Sequence, residues 1–420
     1  MKQFIIIGNS AAGIAAIEAI RRVDKDSRIT VISDEGYPSY CRCLISYYLA
    51  GDVKEDKIFY RSQDFYKDYN IELLLNKKVS RVDPKKNRVI LEDKSQLGYD
   101  ALLIATGASP KFPEVKGIKK TGVFGFRTLK DAKDIEGLLP VTKTVCILGG
   151  GLIGLKAAYA LSKRKIEVKV IIKSKQVLSQ VIDAQAAVFI EQKLGQNGID
   201  LLLGQDALEI IGEAGVKAVK LDSGKAIGTS LVVAAKGVSP NIDLVKDSQI
   251  KINDGIIVNN FLQTDVANIY AAGDVCQAFD LTLGKASVNA LWPVAVEQGK
   301  IAGMNMAGDK VNYAGALGMN SLEFFGLPVI SLGIFNTHQD PALEELKHVD
   351  TKVNIYKKLV IKNNLLVGAV LVGDIGNSGV FLSLIREKID ITSLKDKLLS
   401  ENFGYPDIID LVRDKESIYV

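Results

Sequence analysis

Phe4-Ile5-Ile6-Ile7-Gly8-Asn9-Ser10-Ala11-Ala12-Gly13 opens the chain's first structured stretch. Val145-Cys146-Ile147-Leu148-Gly149-Gly150-Gly151-Leu152-Ile153-Gly154 repeats its grammar near the middle. In each, a short apolar run leads into a Gly-rich turn and then a helix-forming segment. That context gives a Gly-rich turn meaning: its glycines let the backbone approach a pyrophosphate, and the N–H groups of the following helix face the charge. Two such turns predict two dinucleotide sites, and an α/β architecture with two Rossmann-like domains.

The flanks extend both units. The first reads strand (Gln3–Ile7), helix (Ala11–Arg22), strand (Arg28–Ser33), with Gly8, Ser10, Ala11 and Gly13 forming the turn. Ser10 stands where the middle glycine is common and is small enough for a close approach. The acid expected about 20 residues beyond the turn, at the end of the second strand, is supplied by Asp34 or Glu35. The second unit reads strand Thr144–Leu148, helix Leu152–Lys163 and strand Glu167–Ile172, its turn carrying Gly149, Gly151, Leu152, Ile153 and Gly154. Its second strand ends in Lys173-Ser174-Lys175, with no acid for a free 2′-hydroxyl. Two lysines there lean towards the 2′-phosphate of NADPH, the bland reading being a solvated loop.

Three further blocks follow the same logic. The strand-like run Tyr99–Ile104 ends in Ala105-Thr106-Gly107, a buried strand closing on a tight turn. Leu231–Ala235 runs to a similar turn at Gly237, and Ile269–Ala272 closes on Gly273-Asp274. Residues 290–307 are helix-like. From about Val311 the pattern turns to period-two runs and then helical segments, a third, α+β unit.

Composition sets outer bounds. With 420 residues the length allows about three domains, and 47% apolar with 24% charged residues is an ordinary globular balance. A net charge of +4 is too small to argue for nucleic acid. No run approaches the roughly 18 unbroken apolar residues of a membrane span. The apolar N-terminus is interrupted by Asn9, Ser10 and Glu18 and reads as strand–turn–helix instead of a leader, so a cytoplasmic location is expected. Four cysteines (Cys41, Cys43, Cys146, Cys276) and two histidines (His338, His348) form no metal-ligand spacing, so no metal site is expected.

Taken in order, these five blocks resemble the FAD-dependent pyridine nucleotide–disulfide oxidoreductase family over essentially the whole chain. The resemblance implies a discontinuous FAD domain (1–110 and 254–310), an inserted NAD(P) domain (111–253) and a C-terminal interface domain (311–420), assembled as a homodimer. By position it assigns Asp274 to the FAD ribityl chain, Thr106 and Gly107 to its lining, Val79 to its adenine end and Arg127 to its neighbourhood. The stretch from Tyr37 to Gly51, which contains Tyr40-Cys41-Arg42-Cys43-Leu44, is diagnostic within the family. It resembles the branch of NADH oxidases, coenzyme A-disulfide reductases, NADH:rubredoxin reductases and the flavin half of nitrite reductase. Flavoproteins associated with carbon monoxide dehydrogenase are similar too. Counted back from Gly51, Cys43 falls on the single redox cysteine of the oxidases, but Arg42 and Leu44 replace their usual Asn and Gly. Lys156 stands where the wider family commonly has Glu.

The resemblance implies FAD and NAD(P)H as cofactors, hydride transfer from nicotinamide to flavin, and a small iron–sulfur protein such as a ferredoxin or rubredoxin as partner. The alternative is an NAD(P)H oxidase or disulfide reductase using Cys43. A helix start beside Arg42 would lower the Cys43 thiol pKa and suit a redox role. The competing reading makes Cys43 a small packed residue. Trp292 is similarly open, either covering the flavin edge or anchoring a core.

Overall fold

The computed structural model describes residues 1–416, and the chain divides into two compact units. The first comprises Met1–Lys111, Arg127–Asp134 and Gly237–Ala316. Its centre is a five-stranded sheet in the order Ile269–Ala271, Ala101–Ile104, Gln3–Ile7, Arg28–Ile32, Ile71–Leu74, parallel throughout. Phe4, Ile5 and Ile6, together with Leu102, Leu103 and Ile104, are fully buried. A parallel sheet is covered on both faces, so its strands read as apolar runs without alternation.

Helix Ala11–Val23 crosses closely over helix Trp292–Ala307. A Cβ on Gly299 would lie 2.2 Å from the Ala12 carbonyl oxygen, and one on Gly303 2.6 Å from that of Ala16. The two backbones therefore meet through small residues on both sides. The second helix begins at Trp292, two residues after the start of the segment read as helical, because Pro293 suits a first-turn position. Three antiparallel pieces complete this unit: Val79–Asp83 with Arg88–Leu91 and Gln96–Gly98, Ala108–Pro110 with Val238–Pro240, and Cys276–Asp280 with Lys285–Val288. Val311, Tyr313 and Ala316 pack into its core.

The second unit comprises Phe112–Phe126, Ile135–Lys236 and the chain from Leu317. It repeats the parallel design, in the order Ile199–Leu203, Glu167–Ile172, Thr144–Leu148, Leu231–Ala234, Val123–Phe124. A small antiparallel sheet (Ala207–Ile211, Ala218–Leu221, Ala226–Gly228) flanks it. The C-terminal part is a five-stranded antiparallel sheet, ordered Met319–Phe324, Leu327–Gly333, Leu365–Val372, Ile355–Lys362, Glu344–Asp350. Leu332, Leu359 and Leu371 pack with Phe381 and Phe403 to form its core. The fold is thus α/β with two Rossmann-like sheets and a C-terminal α+β part.

His348 sits on the edge strand Glu344–Asp350, and both histidines are exposed. Among the described residues no helix is long and apolar enough to cross a membrane, and no cluster of His, Cys, Asp and Glu could hold a metal ion.

Candidate functional site

In the first unit, the Gly-rich turn lies between the end of strand Gln3–Ile7 and helix Ala11–Val23. Gly8 has φ +121°, and a Cβ there would stand 2.0 Å from the Ala105 carbonyl oxygen. A Cβ on Gly13 would stand 2.0 Å from the Gly8 oxygen. These contacts lock the turn against Ala105-Thr106-Gly107. Ser10 is the N-cap, yet its side chain makes no capping bond, and no acid occupies the first turn. The positive end of the helix, where Ala11 begins, is therefore uncompensated by any side chain of that turn.

Two buried polar atoms lie close by in sequence and structure. Tyr66 donates to Asn9 Oδ1 (2.8 Å) and accepts from the Ser39 amide (3.0 Å). Asn9 Nδ2 and Ser39 Oγ are buried without any partner. Natively buried groups of this kind ordinarily have one. Neither residue was singled out by the sequence, because only the fold brings 9, 39 and 66 together.

The two acids at the end of strand Arg28–Ile32 part company. Glu35 accepts from Tyr40 Oη (2.6 Å) and pairs with Arg42. Asp34 is exposed and borders a cavity of about 440 Å³ with Asn76, Lys77, Lys78 and Glu92. Val79, which follows, is buried and pairs with Leu91.

Arg42 is heavily committed. Beyond Glu35 it donates to Tyr40 Oη (3.2 Å) and the Arg127 carbonyl (3.1 Å), and Tyr40 Oη accepts from the Leu129 amide (2.9 Å). Arg127 in turn donates to the Ala108 carbonyl (2.6 Å) and pairs with Asp274. The guanidinium thus faces Glu35, and the thiol drawn down is Cys41's, to about 6. A hydrogen bond from the Cys43 thiol is the main cause; burial opposes it, and the Cys43 and Leu44 amides assist. Cys43 itself is exposed, in a 3₁₀ turn (Arg42–Leu44) ahead of helix Ile45–Ala50. Burial pushes the Cys146 thiol up to about 12 and raises that of Cys276, so both are core residues.

Thr106 Oγ1 donates to the Asn241 carbonyl (2.8 Å), and Asn241 Nδ2 donates back to the Thr106 carbonyl (2.9 Å). The Gly237 carbonyl accepts from Lys111 N (2.9 Å), fixing that crossing. Gly273 has φ +80°, and its amide donates to the buried Gln298 (2.8 Å), which sets Asp274 after it. Trp292 is half-buried, packs onto the core and meets Tyr60 edge-on at 5.1 Å.

The second unit repeats the turn. Gly149 (φ +120°) would place a Cβ 2.4 Å from the Ala235 oxygen, and Gly154 one 2.0 Å from the Gly149 oxygen. Gly151 caps helix Leu152–Lys163 with no side-chain bond, and open space surrounds the position its Cβ would take. Leu152 is half-buried and Ile153 is exposed at the same helix start. Ser174 Oγ bonds the Gln176 carbonyl (2.6 Å). Lys173 is 80% exposed, 3.7 Å from Asp206, whose carboxylate is held at 2.8 Å by Lys236. Asp206 and Lys236 were invisible to the sequence reading, since no motif marks them.

The family model described as pyridine nucleotide-disulphide oxidoreductase matches residues 2–299, and that of the rubredoxin NAD+ reductase C-terminal domain matches 319–389. A nitrite reductase [NAD(P)H] of Bacillus subtilis is 34% identical over 93% of this chain and 48% of its own length. The chain spans about half the length of the B. subtilis relatives it matches. The epsilon subunit of an NADH-dependent phenylglyoxylate dehydrogenase from Aromatoleum evansii is 31% identical over 95% of this chain and 94% of its own. Among solved structures, an NAD-dependent persulfide reductase from A. fulgidus superposes with a TM-score of 0.87 at 26% identity, over 99% of this chain and 83% of that one. Two Gly-rich turns on two parallel sheets, ahead of an antiparallel C-terminal sheet, accord with these matches: the chain belongs to the pyridine nucleotide-disulphide oxidoreductase family.

Proposed function

We propose that this chain is an FAD-dependent NAD(P)H:acceptor oxidoreductase that exchanges electrons with a small iron–sulfur protein such as a rubredoxin or ferredoxin. The observation that carries the acceptor class is the match of residues 319–389 to the C-terminal domain of rubredoxin NAD+ reductases. FAD, when bound, would take up one hydride, carrying two electrons, from the nicotinamide and give those electrons up singly, which an iron–sulfur partner requires.

The residues of the first unit fit FAD. The uncapped helix at Ser10 suits a pyrophosphate, and Asn9 Nδ2 and Ser39 Oγ are buried groups in want of a partner. Asp34 is the open acid for the adenosine ribose, with Val79 towards the adenine. Glu35 and Arg42 hold the Tyr40–Leu44 segment in place. Arg127 orients the Asp274 carboxylate, with Thr106, Gly107 and Gly273 lining the approach. In the second unit, Gly149, Gly151 and Gly154 admit the NAD(P)H pyrophosphate.

NADPH is the preferred donor in this reading. Lys236 satisfies Asp206, which leaves the exposed Lys173, with Lys175, for a 2′-phosphate. Replacing both lysines by alanine should lower kcat/KM for NADPH about tenfold, the worth of one charge-assisted contact, and leave NADH nearly unchanged. Equal losses for both nucleotides, or none, would refute the preference.

A second reading, reduction of a disulfide or of oxygen through a thiol, is favoured by one observation, the lowered Cys41 thiol beside Cys43. Anaerobic NAD(P)H oxidation with a rubredoxin and with coenzyme A disulfide as competing acceptors separates the two. A homodimer in the cytoplasm completes the proposal, and sedimentation equilibrium reads the dimer directly.

A further inference from the structure

In the C-terminal sheet, Ser331 on strand Leu327–Gly333 and Lys358 on strand Ile355–Lys362 both pair with Val370 of the strand between them. The three form one row and share a face, opposite the face on which Leu332, Leu359 and Leu371 build the core. Ser331 and Lys358 are each 3% exposed, and both reach the segment that follows strand Glu167–Ile172. Ser331 Oγ donates to the Val181 carbonyl (2.5 Å), Lys358 meets Asp183 (3.3 Å), and Tyr356 Oη donates to Asp183 (2.9 Å). From Val181 the bonds run on into the second Gly-rich turn. Val181 N donates to the Leu178 carbonyl (2.8 Å), and Leu178 N donates to the Gly150 carbonyl (2.8 Å). Leu178 is buried at φ +51°, a left-handed backbone that a leucine keeps only where its surroundings fix it. A peptide is planar and trans, so holding the Gly150 oxygen also fixes the opposed N–H of Gly151, the cap of helix Leu152–Lys163.

We propose that Ser331 is a positioning residue for the nucleotide: through Val181 and Leu178 it holds the second Gly-rich turn in its binding shape. The inference rests on the reading that this turn takes the NAD(P)H pyrophosphate, and it gives the C-terminal sheet a part in that binding. Without the hydroxyl, the buried Val181 carbonyl loses its donor from the sheet, and the turn that presents the Leu178 amide to Gly150 loosens. Asp183 keeps Lys358 and Tyr356, so the start of helix Ala184–Gln196 stays tied to the sheet. The loss therefore falls on the Gly-rich turn and leaves the docking of the helix intact. The turn faces the pyrophosphate and not the reacting ring, so nucleotide affinity changes while flavin reduction at saturation does not.

The test is anaerobic stopped-flow reduction of the purified flavoprotein by NADPH and by NADH, which yields a nucleotide Kd and a limiting rate separately. Ser331→Ala should raise Kd about tenfold, the ordinary consequence of a buried carbonyl left unpartnered, with flavin content unchanged and the limiting rate within about twofold. Ser331→Thr keeps the hydroxyl and should restore the wild-type Kd. Asn377→Ala is the control for mere destabilisation, since it removes a bond to the Phe403 carbonyl (2.6 Å) on the opposite face of the same sheet. Its Kd should not move; equal shifts in Ser331→Ala and Asn377→Ala, or no shift in Ser331→Ala, would overturn the proposal. Gly151→Ala alters the turn itself and locates the nucleotide. A raised Kd there beside an unchanged one in Ser331→Ala fails this proposal alone, whereas an unchanged Kd there fails the underlying reading as well. Hydrogen exchange on the wild type decides the matter even if Ser331→Ala does not fold. Saturating NADP+ should slow exchange in the peptide spanning 177–182 and leave that spanning 378–386 unchanged, and unaltered exchange in 177–182 would overturn the proposal.

Discussion

Lys358→Ala is expected to lower the unfolding free energy by about 3–5 kcal/mol, the cost of leaving buried charge without its partner. Lys358 is 3% exposed on strand Ile355–Lys362, with Glu345 at 2.7 Å and Asp183 at 3.3 Å. Asp183 also accepts from Tyr356 Oη (2.9 Å) and caps helix Ala184–Gln196 through the Gln185 and Ala186 amides. Removing the ammonium takes a charged partner from two carboxylates at once, leaving Asp183 with only neutral donors, and Lys358→Met should fare no better, since it restores volume without charge. Urea denaturation of the wild type and both variants measures the loss; a change below 1 kcal/mol would show the cluster to be solvated.

The same cluster has a signature in pH. Burial raises the Glu345 carboxyl, but hydrogen bonds from Lys347, Lys358 and Thr337 outweigh it and hold the group down at about 2. Folded Glu345 thus binds its proton less readily than unfolded. Its stabilising contribution is whole above the ordinary carboxylate range and drains away as pH falls towards 2. Lys358→Ala should flatten that acid limb as well as lower the plateau.

The second large effect is expected at Gly8. Alanine there would carry its Cβ 2.0 Å from the Ala105 carbonyl oxygen, at φ +121°, so the clash is backbone against backbone and no rotamer relieves it. Strain and overpacking of this kind each cost about 1–3 kcal/mol, and their sum corresponds to a fall of at least about 30-fold in flavin affinity. Titration of apoprotein with FAD, followed by flavin absorbance, reads it. Gly151→Ala is the contrasting case, because open space surrounds its Cβ. That variant should keep its flavin and lose only NAD(P)H affinity. Full flavin retention in Gly8→Ala would mean the first turn is not the flavin site.

Much of this was legible in the sequence because it is local. Thr144–Leu148, Leu152–Lys163 and Glu167–Ile172 fall within the bounds read from periodicity and glycine placement. An apolar run, a Gly-rich turn and a helix-forming segment all act within about 30 residues. What escaped depends on contacts between distant positions. Glu35 looked equivalent to Asp34 until Arg42 and Tyr40 claimed it. Arg42 looked free to serve the neighbouring thiols, whereas its guanidinium is tied to Glu35, Tyr40 and the Arg127 carbonyl, and the Cys41 thiol is drawn down by its neighbour Cys43. Asn9, Ser39 and Tyr66 are unremarkable residues until the fold joins them. Lys358 sits in a period-two run that promises alternation, but nearly the whole strand is buried, so its charge had to find carboxylates from two other segments.

The central claim, that electrons leave this protein for a one-electron iron–sulfur acceptor, is tested most directly by anaerobic steady-state turnover with NADPH. A rubredoxin and coenzyme A disulfide are offered separately as acceptors. The account predicts a kcat/KM for rubredoxin at least about tenfold above that for the disulfide, a difference of about 1.4 kcal/mol in transition-state stabilisation. Turnover with coenzyme A disulfide that equals or exceeds turnover with rubredoxin would contradict it and make thiol chemistry the main reaction.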